Sequence, residues 1–438
     1  MDVVQSSLAL FQPPLIETGI QREYWVEYSP VSSISSESCL EFSIPGTSMD
    51  YINLKKSRLC IEFKITKENG DPIKYEADAL GMPTDNSDQV APINFPLNTI
   101  FRQVDVSLNQ MVIAPQTGVN HPFKTILDLL LTSTNDMLTS QAQGGLFFKD
   151  TAGNMDDVRL SGSNNGFVER SKLIRNGNVA TIEGVLYNDF ILDQDRLLLN
   201  GVAVNIKLFQ AKDEFRLLTS KDEKYKFVIT NATFKVCQVA VNPSMILAHN
   251  EILAGSPAVY PFWRSDIKSY TVATGSHTFM IDNLYHGNVP SKILLGMVTN
   301  DAYSGSYALN PFNFSHNDVN YLEISVDGTP VPHRPFKPNF EQGDYLSSYL
   351  SLMDSDYTSQ KGICINSSDY PRGYSLFLFD IQSYLNTNIM SKPVKGLTQL
   401  NMRFGTALPK PINVIVYAKF ADKITIDQSR QVDLSGGN

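Results

Sequence analysis

Val104 to Ile113 reads VDVSLNQMVI, and Leu322 to Gly328 reads LEISVDG. In the first stretch Val104, Val106 and Leu108 alternate with Asp105 and Ser107. In the second, Leu322, Ile324 and Val326 alternate with Glu323 and Ser325. Strict alternation of apolar and polar residues marks a strand with one face buried. Each strand runs into a polar turn: Asn109-Gln110 in the first copy, and in the second Asp327-Gly328, a strong signal for a type I′ hairpin.

The same alternation recurs in Val204, Ile206 and Leu208 against Asn205 and Lys207, and in Leu400, Met402 and Phe404 against Asn401 and Arg403. Ile293 to Val298 and Ile412 to Ala418 are apolar at nearly every position, as expected of central strands covered on both faces. Helical spacing is sparse. It occurs at His121 to Leu131, through Phe123, Ile126, Leu127 and Leu130, and at Asn242 to Leu253, where an Asn cap precedes Pro243. Tyr345 to Met353 is a weaker third.

These landmarks come twice in one order. In the first half the alternating strand is followed by Pro115 and the helix from His121; in the second it is followed by Pro332, Pro335 and the helix near Tyr345. Downstream, Val185 to Leu192, Val202 to Phe209 and Phe227 to Val236 are matched in order to Leu376 to Ile381, Leu397 to Phe404 and Ile412 to Phe420. At 438 residues the chain exceeds a single core, and two β domains follow from length and pattern together. The Gly/Ser/Pro stretch Ala254-Gly255-Ser256-Pro257 is the expected break. The expected division is an N-terminal arm over 1–18, a first jelly roll over 19–253, a second over 254–420 and a C-terminal tail over 421–438. The expected fold class is all-β: two fused β-sandwiches, each of the size of an eight-stranded jelly roll, with a few short helices in loops.

A net charge of −9 argues against a chain that itself neutralises a nucleic-acid backbone, which needs clustered Lys and Arg. Lys55-Lys56 with Arg58, and Lys221 to Lys226, are read as solvated turns. The four cysteines, Cys39, Cys60, Cys237 and Cys364, are scattered singly, away from any metal-ligand spacing. Free thiols, an N-terminus unlike a signal peptide and the absence of a long apolar window fit a reducing compartment with no membrane span. The sequons at Asn231, Asn313 and Asn366 then stay unmodified.

Catalytic signatures are missing. His121, His249, His277, His286, His316 and His333 sit in no recognisable catalytic spacing, and Gly46-Thr47-Ser48-Met49-Asp50 lacks the second glycine of a nucleophile elbow. Asp193-Gln194-Asp195 and Asp85-Asn86-Ser87-Asp88 read as turns rather than Ca²⁺ loops. The aromatic clusters Phe11, Tyr24, Trp25 and Tyr28, and Tyr260, Phe262 and Trp263, read as core and interface anchors rather than a stacking platform. No catalytic, cofactor or metal residue is assigned.

Leu294 to Leu322, reading LLGMVTNDAYSGSYALNPFNFSHNDVNYL, resembles the second-half signature of the hexon-like major capsid proteins of adintoviruses and the related Polinton or Maverick elements. Arg22 to Ile34, Leu97 to Pro115 and Pro411 to Asp427 share the resemblance, which thus spans most of the chain; between Thr132 and Lys172 no family motif is carried. The resemblance implies a vertical double jelly roll of the adenovirus and tailless-phage lineage, forming pseudo-hexagonal homotrimers that tile an icosahedral shell around double-stranded DNA. Its implied partners are itself, penton and minor capsid proteins, without sequence-specific nucleic-acid binding. The implied place is the virion capsid, assembled in the host cell, in the nucleus. The long insertions Gly70 to Pro96 and Gly144 to Lys172 are candidate tower loops or trimer clasps. Arm and tail are expected to reach a neighbouring subunit or a minor capsid protein. The alternative reading is a carbohydrate-binding β-sandwich spike or adhesin, with a β-sandwich hydrolase behind it.

Overall fold

A computed structural model describes residues 18–34, 39–84, 86–113, 120–220, 223–353, 362–381 and 394–434. The first half contributes β1 (Ile20–Tyr28), β2 (Leu40–Ile44), β3 (Tyr51–Lys67), β4 (Phe101–Leu108), β5 (Met111–Ile113), β6 (Ala180–Gly184), β7 (Val204–Gln210) and β8 (Tyr225–Val241). The second contributes β9 (Ala258–Val272), β10 (Thr278–Asn288), β11 (Lys292–Thr299), β12 (Val319–Val326), β13 (Thr329–Phe336), β14 (Leu376–Asp380), β15 (Lys395–Phe404) and β16 (Ile412–Ile426).

The sheets repeat strand for strand. The first half forms the antiparallel sheets β1-β8-β3-β6 and β2-β7-β4-β5; the second forms β9-β16-β11-β14 and β10-β15-β12-β13. Each of these strands in the first half therefore has its counterpart eight strands later, with the same neighbours. Both landmark hairpins are present, β4–β5 and β12–β13. At the second, Asp327 and Gly328 both take positive φ, 49° and 79°, as a type I′ turn demands. The prolines Pro330, Pro332 and Pro335 fall on β13, a sheet edge, where a missing N–H breaks no interior ladder.

Three apolar clusters organise the interior. One fills the first roll, around Phe42, Phe63, Val106, Ile206, Phe227 and Phe234. Another fills the second, around Leu295, Ile324, Met402, Val414 and Phe379. The third lies between them and draws on both halves, from Phe123, Leu127 and Phe167 to Leu294, Ile415 and Tyr417. This explains the strands apolar on both faces. On β11, Ile293, Leu295 and Met297 point into the second roll while Leu294 and Val298 join the middle layer; on β16, Val414 and Val416 point in and Ile415 and Tyr417 point out.

Helices occupy the connections, among them α1 (His121–Thr132), α2 (Asn165–Lys172), α3 (Asp189–Asp193), α4 (Pro243–Leu253) and α5 (Leu346–Ser351). The Asn242 side chain caps α4 by accepting from the Ser244 N–H, with Pro243 in the first turn.

Several expectations are corrected. The counterpart of β14 is β6, not Val185 to Leu192, which forms a loop and α3; there Asn188 caps the helix by accepting from the Phe190 N–H, so the apolar run turns instead of extending. Lys55, Lys56 and Arg58 are solvated, but they sit inside β3 rather than in a turn. Opposite the short step from Lys235 to Cys237, the β3 chain bulges from Asn53 to Arg58. The last strand does not stop at Phe420. It continues to Ile426, and Val432–Leu434 returns as β17 to pair with it. Ile424, Ile426 and Val432 are buried in the first roll's cluster, so this part of the expected tail closes on its own chain. All but Thr18 of the expected arm over 1–18, and the end of the tail, 435–438, lie outside the described residues, as do Asp85, Pro115 and Lys221.

Candidate assembly surfaces

The middle layer shows how the two rolls are held. α1 is buried from His121 to Leu131, its polar residues Lys124, Thr125 and Asp128 included, because the second roll covers it. Lys124 and Asp128, one turn apart, are therefore interior. The Lys124 ammonium lies 2.9 Å from Asp128 Oδ2 and 2.9 Å from Asp189 Oδ1, and the Lys419 ammonium is 3.1 Å from Asp128 Oδ1. The Tyr417 hydroxyl donates to Asp128, and the Ser265 N–H and hydroxyl donate to Asp189. Lys124, Asp128 and Asp189 come from the first half (α1 and α3), and Ser265, Tyr417 and Lys419 from the second (β9 and β16).

Two ammonium groups balance two carboxylates, which is the condition for burying charge at tolerable cost. Burial alone would push the Asp128 carboxyl up, but Lys124 and Lys419 outweigh it and hold it well below the usual range. Burial likewise opposes the Lys124 charge, and Asp128 and Asp189 overcome it and raise the ammonium. For His121, one turn before Thr125, burial and then the Lys124 charge outweigh the pull of Asp128 and push the imidazole down to about 3.

The insertion Gly144 to Lys172, a candidate tower loop or trimer clasp, is packed into the same layer. Phe147, Met155, Leu160 and Phe167 are buried there. Arg170 on α2 is wholly enclosed, donating to the carbonyls of Pro92 and Phe148 and to Asp150 Oδ1 at 2.9 Å. Asp150 in turn accepts from the Asn310 side chain of the second half at 3.0 Å, and its carbonyl from the Tyr374 hydroxyl at 2.8 Å. The insertion thus staples one roll to the other.

Of the other insertion, Gly70 to Pro96, residues 76–82 are largely exposed, whereas 90–96 are buried and Val90–Pro92 pairs with Leu217–Thr219. Asp78 Oδ1 accepts from the N–H groups of Leu80 and Met82, fixing a tip on which Leu80 is 87% and Met82 54% exposed. At its base Asp88 accepts from the Lys74 N–H and the Tyr225 hydroxyl, and Ser87 donates to the Glu76 carbonyl, so these residues of the acidic stretch serve as local structure.

A second surface lies at the far end of β3, where Tyr51 begins the strand. There an open apolar groove of about 500 Å³ runs between the start of β1, α4 and the start of β9. Ile20, Val241, Met245, Ile252, Val259 and Tyr260 are among its walls. His249 lines it too, its Nδ1 2.8 Å from the Tyr51 hydroxyl.

The remaining histidines do not converge: His316 stacks on Phe340 at 4.0 Å with its pKa lowered by burial, and the His333 side chain lies outside the described residues. Among the described residues no three His, Cys, Asp or Glu side chains group as metal ligands, and no helix is long and apolar enough to cross a membrane. Burial raises all four cysteine thiols, Cys364 to about 11. Of the aromatic clusters, Tyr260 and Phe262 are core residues in edge contact with Phe190, whereas Trp25 is half exposed beneath the Arg58 guanidinium.

No protein-family model matches the sequence. Over 431 residues it is 24% identical to Uncharacterized protein F54H12.2 of Caenorhabditis elegans, covering 95% of this chain and 98% of that protein. Among solved structures, a chain of the Sputnik virophage superposes with a TM-score of 0.63 at 12% identity, covering 100% of this chain and 94% of that one. The mavirus major capsid protein superposes with a TM-score of 0.55 at 14% identity, covering 99% and 95%. The chain is a double jelly roll. At such identities the likeness carries the fold, and it holds across both rolls of the double jelly roll and the layer between them.

Proposed function

We propose that the chain is a major capsid subunit, acting by assembly rather than catalysis. The observation that carries this is the repeat of strand order in two rolls locked by a buried, charge-balanced layer. Three such subunits around a threefold axis present six similar rolls, which gives a nearly hexagonal outline able to tile a closed shell. The full-length likeness to a protein described as the mavirus major capsid protein supports the same reading.

On this reading 19–253 and 254–420, the latter prolonged through β17, are the two wall-forming rolls of a homotrimer. The exposed tip of the 70–96 insertion, around Leu80 and Met82, faces outward, and penton and minor capsid proteins complete the shell. The enclosed genome is double-stranded DNA, and because the chain carries a net charge of −9, another component neutralises it. Assembly takes place in the host nucleus and the product is the virion capsid. A full-length relative in a nematode supports origin in an integrated element of the Polinton or Maverick kind.

The test is expression of the full chain, alone and with candidate penton proteins, followed by density-gradient fractionation and negative-stain imaging. Hexagonal capsomers or closed shells are expected. A protein that stays monomeric under every condition and instead binds glycans would replace this reading with the adhesin.

A further inference from the structure

The apolar groove beside α4 is open although its walls are those of an interior. α4 buries only Leu253 among its residues and leaves Met245, Leu247 and Ile252 exposed, Ile252 by 62%. Such a helix face in a water-soluble particle calls for a partner. Two features of this chain identify one. The groove is lined by Gly19 and Ile20, so the described chain begins at its rim. That segment, MDVVQSSLALFQPPLIE, is apolar at Val3, Val4, Leu8, Leu10 and Phe11 and has no basic residue; its charges are Asp2 and Glu17. The charged side chain in the groove lining is Arg196, of opposite sign.

Spacing decides which copy's groove is filled. Consecutive prolines such as Pro13-Pro14 favour an extended backbone, and in that conformation seven residues at about 3.1 Å each would span roughly 20 Å. The groove begins at Gly19 itself, so a spacer extended in this way would carry the apolar stretch past the chain's own groove to that of an adjoining copy. We propose that the groove receives Leu8–Phe11 from the N-terminal arm of a second copy of this chain, tying each subunit to its neighbour. This rests on the capsid reading and specifies one of its contacts.

The experiment uses the full-length protein with Phe11→p-benzoylphenylalanine, assembled from an equal mixture of ¹⁴N- and ¹⁵N-labelled chains, irradiated and mapped by mass spectrometry. Cross-links from position 11 to Met245–Tyr260 are expected, about half of them joining chains of different isotope. Ile252→Glu, a change at an exposed position, should abolish those cross-links and weaken association at least tenfold while leaving the melting temperature of the subunit unchanged. Leu10→Asp should do the same from the arm side. Oligomers whose cross-links fall elsewhere, or fall in the groove within single-isotope chains only, overturn the exchange of arms while leaving the capsid reading intact. Absence of any oligomer overturns both.

Discussion

Lys124→Met removes one cation from a buried set of four charges. The ammonium it deletes is 1% exposed and sits 2.9 Å from each of two carboxylates. Asp128 keeps Lys419 and the Tyr417 hydroxyl, and Asp189 keeps Ser265, but one negative charge is then uncompensated in the interior. Breaking such a buried set costs about 3–5 kcal/mol, a large share of a typical stability of about 5–15 kcal/mol. If charge imbalance is the cause, the remedy is to remove one carboxylate charge as well. Asp189→Asn on the Lys124→Met background keeps an acceptor for Ser265 and restores neutrality, with Asp128 facing Lys419. The double variant should therefore recover about 1–3 kcal/mol relative to Lys124→Met alone, a positive coupling between touching residues. Urea denaturation followed by fluorescence and by circular dichroism reads both values. Because the set joins α1 and α3 to β9 and β16, Lys124→Met should also speed proteolysis near Ala254–Pro257. A loss below about 1 kcal/mol for Lys124→Met, or a double variant as unstable as the sum of its parts, would refute charge balance as the basis of the seam.

Three further outcomes are expected of the interior. His121 stays neutral in the folded chain down to about pH 3, against 6.5 when unfolded, so the unfolded state binds the extra proton between those values. Stability is present above pH 6.5 and falls as the pH drops toward 3, by about 2 kcal/mol between 6.5 and 5; His121→Gln should flatten that part of the pH–stability curve. Phe63→Ala empties a fully buried site stacked on Phe227 with ring centroids 4.4 Å apart, and should cost about 3–5 kcal/mol by urea titration. Gly296→Ala on β11 would place its Cβ 2.8 Å from Phe314 and 3.0 Å from Leu376, so overpacking should cost about 1–3 kcal/mol in the same assay, although alanine is otherwise a mild change.

The strands were legible because alternation states burial directly: Val104, Val106 and Leu108, and Leu322 and Ile324, all face cores. The unbroken apolar runs of β11 and β16 likewise announced a layer on each side, and that layer exists. What filled it was not legible. A Lys–Asp pair one turn apart on α1 reads as a solvated face, and only the docking of the second roll turns it inward; the clue available was that the pair lies beside Phe123 and Leu127 in a helix otherwise without Lys, Arg, Asp or Glu. The insertion 144–172 reads as a tower loop or clasp rather than as core because its polar residues, Asp150 and Arg170 above all, give no sign in the sequence that they satisfy each other. Val185 to Leu192 misled by composition: Leu186, Tyr187, Phe190 and Ile191 are buried as a strand's would be, yet Asn188 turns the chain into a helix. The tail residues Ile424, Ile426 and Val432 found their core in the other roll, a contact with no local signature.

The central claim is that this double jelly roll exists to associate in threes. Light scattering of the purified full chain, with negative-stain images of the same sample, tests it most directly. A mass three times the 48.8 kDa of the chain, with particles of hexagonal outline, is the predicted result. A species that remains at 48.8 kDa at every concentration, with no such outlines, would contradict it.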